Sequence, residues 1–171
     1  VEARRIAERN GVPVVPGSLQ GFTDAEAASK VAADIGFPLL LKAAGGGGGR
    51  GMRIAASMGE FGALFAQASA EAMAAFSNPE IYLERFFPKV RHIEIQVFGD
   101  KHGNVVHLWE RDCSIQRRHQ KLVEEAPSPV LPANVRREMA EASVALIRNL
   151  KYEGAGTVEF IVDKNRNFYF L

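Results

Sequence analysis

Two spacings of hydrophobic residues divide this chain. From His92 the residues alternate strictly, His92-Ile93-Glu94-Ile95-Gln96-Val97-Phe98. Ile93, Ile95 and Val97 therefore face a core, while His92, Glu94 and Gln96 share the opposite face of a strand. Helical spacing governs other stretches. Pro132 opens a helix to Leu150 with Val135, Met139, Ala142, Leu146 and Leu150 on one stripe. Thr23 with Glu26 reads as a capping box for a helix over Ala25 to Ile35, stopped by Gly36. Ser57 with Glu60 opens a second, Ala-rich helix to about Phe76, broken by Asn78-Pro79. Val1 to Asn10 reads as the end of a helix stopped at Gly11.

Short apolar runs supply the remaining strands: the segment ending in Lys42, a return strand over Met52 to Ala56, Ile81 to Phe87 ended by Pro88, Val105 to Ile115, Thr157 to Val162 and Asn167 to Leu171. Two helices against a small antiparallel sheet make one lobe of residues 14–86. Residues 87–171 read as a mainly β lobe, and residues 1–13 as the end of a preceding region. The chain has no initiator Met and stops inside an apparent strand, so it is expected to be a piece of something longer.

At 171 residues the chain is long enough to bury a real core. A formal net charge of +1 argues against nucleic acid as a bulk electrostatic partner. The lone Cys113 cannot form an internal disulfide, which suits a reducing compartment such as the cytoplasm, or the mitochondrial matrix in a eukaryote. No apolar run approaches the length needed to span a bilayer, and the basic pair Arg4-Arg5 has no apolar stretch behind it to make a signal peptide.

Chemistry concentrates first at Leu39-Leu40-Leu41-Lys42-Ala43-Ala44, which runs into five glycines, Gly45 to Gly49, then Arg50-Gly51-Met52. Backbone N–H groups in a loop almost without side chains can close on phosphate oxygens, and Lys42 adds a point charge at its edge. A flexible linker would be flanked by Ser, Pro or charge, whereas this tract joins two apolar segments. Gly46, Gly48 and Gly51 satisfy GxGxxG, but a dinucleotide fingerprint must open a helix and a strand follows here. Met52 and Arg53 stand where a P-loop needs Lys and Ser or Thr. A kinase flap has its lysine afterwards, not before. The tract therefore reads as a flap between antiparallel strands. A second concentration is Glu110 to Glu125, ERDCSIQRRHQKLVEE. Read alone, it fits a solvated loop with surface ion pairs as well as it fits a site.

Taken together, GGGGGRGM, Tyr82-Leu83-Glu84, RHIEIQV from Arg91, ERDCSIQRRHQKLVEEAPS from Glu110 and GAGTVEF from Gly154 resemble biotin carboxylase, an enzyme of the ATP-grasp fold. The resemblance covers essentially the whole chain and implies an α+β fold: a small α/β lid lobe plus a mainly antiparallel β-sheet lobe with helices, truncated at both ends. It implies that Lys42 contacts the α- and β-phosphates of ATP, that Gly45, Gly46, Gly47, Gly48, Gly49, Arg50, Gly51 and Met52 form the closing lid, and that Glu84 accepts the adenine amino group. The backbone of Arg85 to Phe87 would read the ring edge, with His92, Gln116 and His119 around ribose and phosphates. Lys121 would bind bicarbonate, and Glu159 would be a carboxylate ligand of Mg²⁺ (or Mn²⁺).

The implied reaction phosphorylates bicarbonate with ATP and passes the carboxyl group to biotin. Implied partners are a biotin carboxyl carrier protein or domain and a carboxyltransferase component, in a homo-oligomeric parent. The family's second metal-binding Glu, the base for bicarbonate and the arginine near biotin would follow Leu171, and another nucleotide-binding lysine would precede Val1. The alternatives are another bicarbonate-phosphorylating ligase, of the carbamoyl phosphate synthetase type, and a nucleotide-binding module without chemistry. ERDCSIQRRHQK and Lys121 favour biotin; the final acyl acceptor stays open.

Overall fold

The computed structural model describes residues 2–46 and 52–171. In chain order the first elements are α1 (Glu2–Arg9), α2 (Ala25–Ile35), β1 (Leu39–Ala43), β2 (Arg53–Ala55), α3 (Met58–Phe76) and β3 (Ile81–Arg85). They are followed by β4 (Arg91–Gly99), β5 (Val105–Arg117), β6 (Gln120–Glu125), α4 (Ala133–Asn149), β7 (Gly154–Val162) and β8 (Phe168–Phe170). Residues 15–88 make one compact unit; residues 2–14 and 89–171 make the other. No helix among the described residues is long and apolar enough to cross a membrane.

The smaller unit is a three-stranded antiparallel sheet in the order β2-β1-β3, with α2 and α3 on it. Alternation in β1 buries Leu39, Leu41 and Ala43, which meet Ile81, Leu83, Phe61 and Phe65 in one apolar cluster. Phe61 meets Phe37 edge-on at 6.4 Å between ring centroids. The strands before and after the glycine tract pair antiparallel, as the flap reading expects. Gly17 backs onto β3 so closely that a Cβ there would stand 2.4 Å from the Leu83 carbonyl oxygen, an approach only glycine permits.

Local chemistry shifts some boundaries. Asp24, not Thr23, caps α2: its carboxylate accepts from the Ala27 N–H at 2.7 Å. The helix starts at Ala25, so Asp24 holds the cap position, where a negative charge also suits the helix N-terminus. At α3 the expected box is half formed. Ser57 makes no side-chain cap bond, and the Glu60 carboxylate instead accepts from the Ala56 N–H at 3.1 Å. β3 ends at Arg85: the next N–H, that of Phe86, still bonds in register to the Pro38 carbonyl at 2.9 Å, but proline has no N–H to return the bond.

The larger unit is a five-stranded antiparallel sheet, β6-β5-β4-β7-β8. Ile93, Ile95, Val97, Val158, Phe160 and Val162 turn to one side and pack with Val135, Met139 and Leu146 of α4. Ala7 of α1 and Val12 complete this core from the other end of the chain. Leu150 leaves the predicted stripe: it is the residue after α4 and 45% exposed, while Ala140, Ser143 and Ile147 widen the buried face.

The charged run from Glu110 is a hairpin, not a loop. β5 and β6 are joined by Arg118 and His119, with φ of 53° and 66°, the backbone of a two-residue turn with both residues left-handed. Strand alternation then splits the run between two faces. Glu110 lies opposite Ile95 and Asp112 opposite Ile93, so both acids point to the core side. The Ser128 N–H and Arg136 Nε donate to Glu110 Oε1 at 3.1 and 2.6 Å, and the Ser128 hydroxyl donates to Asp112 Oδ2 at 3.1 Å. These bonds fasten the start of α4 to the sheet. Arg136→Met should therefore leave the fully buried Glu110 carboxylate uncompensated and destabilise the protein by about 3 kcal/mol. Denaturant unfolding checks this, and adding Glu110→Leu should recover much of the loss.

Candidate functional site

In the smaller unit β1 carries Lys42 next to its end, and cross-strand register sets Tyr82 opposite it. Lys42 Nζ donates to Glu84 Oε2 at 2.9 Å and lies 5.4 Å from the Tyr82 ring centroid. Side-chain exposure is only 17% for Lys42 and 10% for Glu84. Burial works against the ammonium charge, but the Glu84 carboxylate and Tyr82 outweigh it and hold Lys42 above its ordinary value. Gly45 and Gly46 continue from β1, with the Gly46 N–H donating to the Ala43 carbonyl at 3.0 Å, and Met52 leads into β2. Gly47, Gly48, Gly49, Arg50 and Gly51 lie outside the described residues. The Arg85 side chain donates to the Ile35 carbonyl at 3.1 Å and closes the end of α2. The Arg85 and Phe86 N–H groups bond to the Pro16 and Pro38 carbonyls at 2.7 and 2.9 Å. Those two amides are held inside the unit, so Glu84 is the polar group of this segment that faces Lys42.

In the larger unit His92, Gln116, Lys121 and Glu159 share the face of the sheet opposite α4, and His119 lies in the β5–β6 turn. Glu94 stands opposite Arg111 on β5 and Glu159 on β7, and Lys121 on β6 stands opposite Gln116. Lys121 Nζ bonds to Glu94 Oε2 and, at 2.6 Å, to Glu159 Oε1. Burial lowers the affinity of Lys121 for its proton, but the bonds to Glu159 and Glu94 outweigh this and its pKa rises. Glu94, although buried, is held below the usual carboxylate range by Lys121 and Arg111. Glu159 is 42% exposed, so a hard oxygen ligand of the kind Mg²⁺ takes is open to solvent there.

His92 is pulled below its ordinary value first by burial, while Glu159 raises it and His119 and Lys121 lower it. His92 and Glu159 face the same side of the sheet as Lys121, and the charges of His119 and Lys121 act on His92. Gln116 Nε2 donates back to the Cys113 carbonyl at 2.8 Å. Cys113 itself is buried, and burial together with the Glu94 charge pushes its thiol up to about 11. It is therefore an unreactive thiol.

Three residues on this face escape the sequence reading of candidate groups: Glu94, Arg111 and Gln96. Arg111 Nε donates to Glu94 Oε1 at 2.7 Å and Nη1 to Gln96 Oε1 at 3.0 Å, while Gln96 Nε2 donates to the Gly156 carbonyl at 2.9 Å. The available signal was a carboxylate set between two isoleucines on a strictly alternating strand.

A family model described as the carbamoyl-phosphate synthase L chain, ATP binding domain, matches residues 1–171, and the chain belongs to that family of ATP-grasp domains. Among individual proteins it is similar to the chloroplastic biotin carboxylase of Arabidopsis thaliana, 55% identical over 169 residues, 99% of this chain and 32% of the relative. The biotin carboxylase of Campylobacter jejuni, solved as a complex named for β,γ-ATP, matches with a TM-score of 0.94 and 49% identity, over 99% of this chain and 38% of that one. The biotin carboxylase domain of the Hydrogenobacter thermophilus 2-oxoglutarate carboxylase, solved with MgADP, ADP and bicarbonate, matches at 0.93 and 47%, over 98% of this chain and 37% of that one. The chain thus spans about a third of the length of these relatives.

Burial holds His92 below its ordinary value. Its NMR titration midpoint should fall below the ordinary histidine value of about 6.5. As pH drops from that value towards the folded-state midpoint, the unfolded chain takes the proton first and stability falls. His92→Gln should flatten that part of the stability profile, as read from unfolding midpoints between about pH 7 and 5.

Proposed function

We propose that the full-length protein containing this chain is a biotin carboxylase. In the proposed reaction a bicarbonate oxygen attacks the γ-phosphorus of ATP, the bond to the ADP oxygen breaks, and carboxyphosphate forms. Carboxyphosphate releases phosphate and CO₂, and a deprotonated biotin nitrogen attacks the CO₂ carbon. The observation that carries this reading is Lys121, a cation fixed on the sheet face inside the string ERDCSIQRRHQK. An ammonium has three donors; Glu94 and Glu159 take two, leaving one for a small anion. Support comes from the similarity to biotin carboxylases over nearly the whole chain.

Lys42 holds phosphate oxygens, and the glycine tract closes over them to exclude water from the reactive intermediate. Glu84 takes the adenine amino group, with the backbone from Arg85 to Phe87 along the ring. His92, Gln116 and His119 line the ribose and phosphates. Glu159 would hold Mg²⁺, which when bound neutralises phosphate charge. The protein's own part in phosphoryl transfer is positioning and charge complementarity, not covalent chemistry. The carboxyl acceptor is biotin on a carrier protein or domain, a carboxyltransferase component consumes the product, and the assembly is a homo-oligomer in a reducing compartment such as the cytoplasm. A second reading is a carbamoyl-phosphate-forming ligase, favoured by the description of the matching family model. It shares the first step and differs in the acceptor.

Purified full-length protein should cleave ATP only with bicarbonate and faster with free biotin. ATP cleavage indifferent to both rejects the reading, and stimulation by ammonia instead of biotin selects the second one. Lys42→Ala removes a charge-assisted phosphate contact of about 1.5–3 kcal/mol, a loss of roughly ten- to a hundredfold in MgATP affinity by calorimetry. Lys121→Gln should leave that affinity nearly intact while raising the bicarbonate requirement and slowing turnover.

A further inference from the structure

Lys121 can serve an anion only if the carboxylates beside it are held in place and their charge is partly offset. Glu94 divides its two oxygens between two cations. Oε2 goes to Lys121, while Oε1 takes both Nε and Nη2 of Arg111. Nη1 of the same guanidinium reaches Gln96, and Gln96 reaches the Gly156 carbonyl. One side chain from β5 thereby ties down β4 directly and β7 through Gln96, on the face that carries Lys121. The Glu94 side chain is 4% exposed and Arg111 30%; Glu124, 42% exposed, touches Arg111 Nε from the solvent side at 3.4 Å. Glu94, Glu159 and Glu124 set three negative charges against the two positive ones of Lys121 and Arg111. Removing Arg111 takes the group from one net negative charge to two, strengthens its repulsion of an anion and leaves Glu94 with Lys121 as its one cation partner among the described residues.

We infer that Arg111 is a positioning residue: it pins the Glu94 carboxylate so that Lys121 is shared between Glu94 and Glu159 and keeps one donor for bicarbonate. The inference rests on the reading of Lys121 as the bicarbonate-binding group. Arginine suits the task because a planar fork can grip a carboxylate and an amide together, and the point charge of a lysine cannot.

The test uses Arg111→Gln and Arg111→Lys in the full-length protein, with Glu124→Gln as a control on the solvent side of the guanidinium. ATP cleavage is measured while bicarbonate and MgATP are varied separately, and the structure of each Arg111 variant is determined. Arg111→Gln should raise the KM for bicarbonate about tenfold while the KM for MgATP stays within about twofold, a split that general misfolding does not produce. Arg111→Lys restores the charge but not the fork, and should recover only part of the loss. Glu124→Gln should behave as wild type. An unchanged bicarbonate KM in Arg111→Gln, with a wild type that responds to bicarbonate, overturns the inference and leaves the functional reading standing. Full recovery in Arg111→Lys also overturns it, since charge alone then suffices. If wild-type ATP cleavage ignores bicarbonate, the functional reading falls and the structures decide the positioning role by themselves. Glu94 turned away from Lys121 supports that role, and Lys121 still bridging Glu94 and Glu159 refutes it. Should Arg111→Gln fail to fold, Arg111→Lys decides alone: a raised bicarbonate KM supports the role, and a wild-type value refutes it.

Discussion

In the five-stranded sheet Glu94 has Arg111 opposite it on one side and Glu159 on the other. Antiparallel register puts directly opposed side chains on the same face, so three charges from three strands meet without any loop having to bring them together. Lys121 joins them from a fourth strand. A buried carboxylate is tolerable only when its charge is matched, and Glu94 is matched twice. The apolar side of the same strands makes this arrangement rigid, because Ile93 and Ile95 flank Glu94 and are locked into the core beneath α4. Packing on one face therefore sets the geometry of charge on the other.

The smaller unit solves a related problem with fewer parts. Among the described residues Lys42 pairs with the Glu84 carboxylate and lies against the Tyr82 ring. A lysine that is to meet a polyanion has to be held without being used up, and an ammonium with one strong partner keeps donors for others. Such desolvated pairs add little net stability against an apolar replacement. Their presence in both units is better understood as presentation of charge than as a stabilising device.

Much of this was legible in the residues. Alternation in β4, the helical stripe of α4 and the antiparallel pair around the glycine tract all follow from spacing, since burial on one side imposes a period. The predicted residues Lys42 and Glu84 meet in one unit, and Lys121, Glu159, His92 and Gln116 share the sheet face of the other, with His119 in the turn beside them. What escaped has a common cause. Asp24 displaces Thr23 as a cap because neighbouring candidates compete for one position, and only the start of the helix decides between them. Ala7 and Val12 join a core made mostly of residues far along the chain, which no local pattern announces. The charged run from Glu110 looks uniform in one dimension, yet Glu110 and Asp112 serve the core while Arg111 serves the charged face. That division exists only once the run is a strand.

The turn at Arg118 and His119 has a bearing on how this protein can vary in length. The two left-handed residues make a tight turn between β5 and β6, and in the regular pairs next to it, Arg117 with Gln120 and Gln116 with Lys121, facing reverses with every residue. A single inserted or deleted residue there would carry Lys121 to the α4 side of the sheet, whereas the turn after β4 could lengthen without moving any charged group. Among relatives, gaps should therefore collect in the latter turn and be absent from the former, so that chain length itself becomes a record of which face the lysine must occupy.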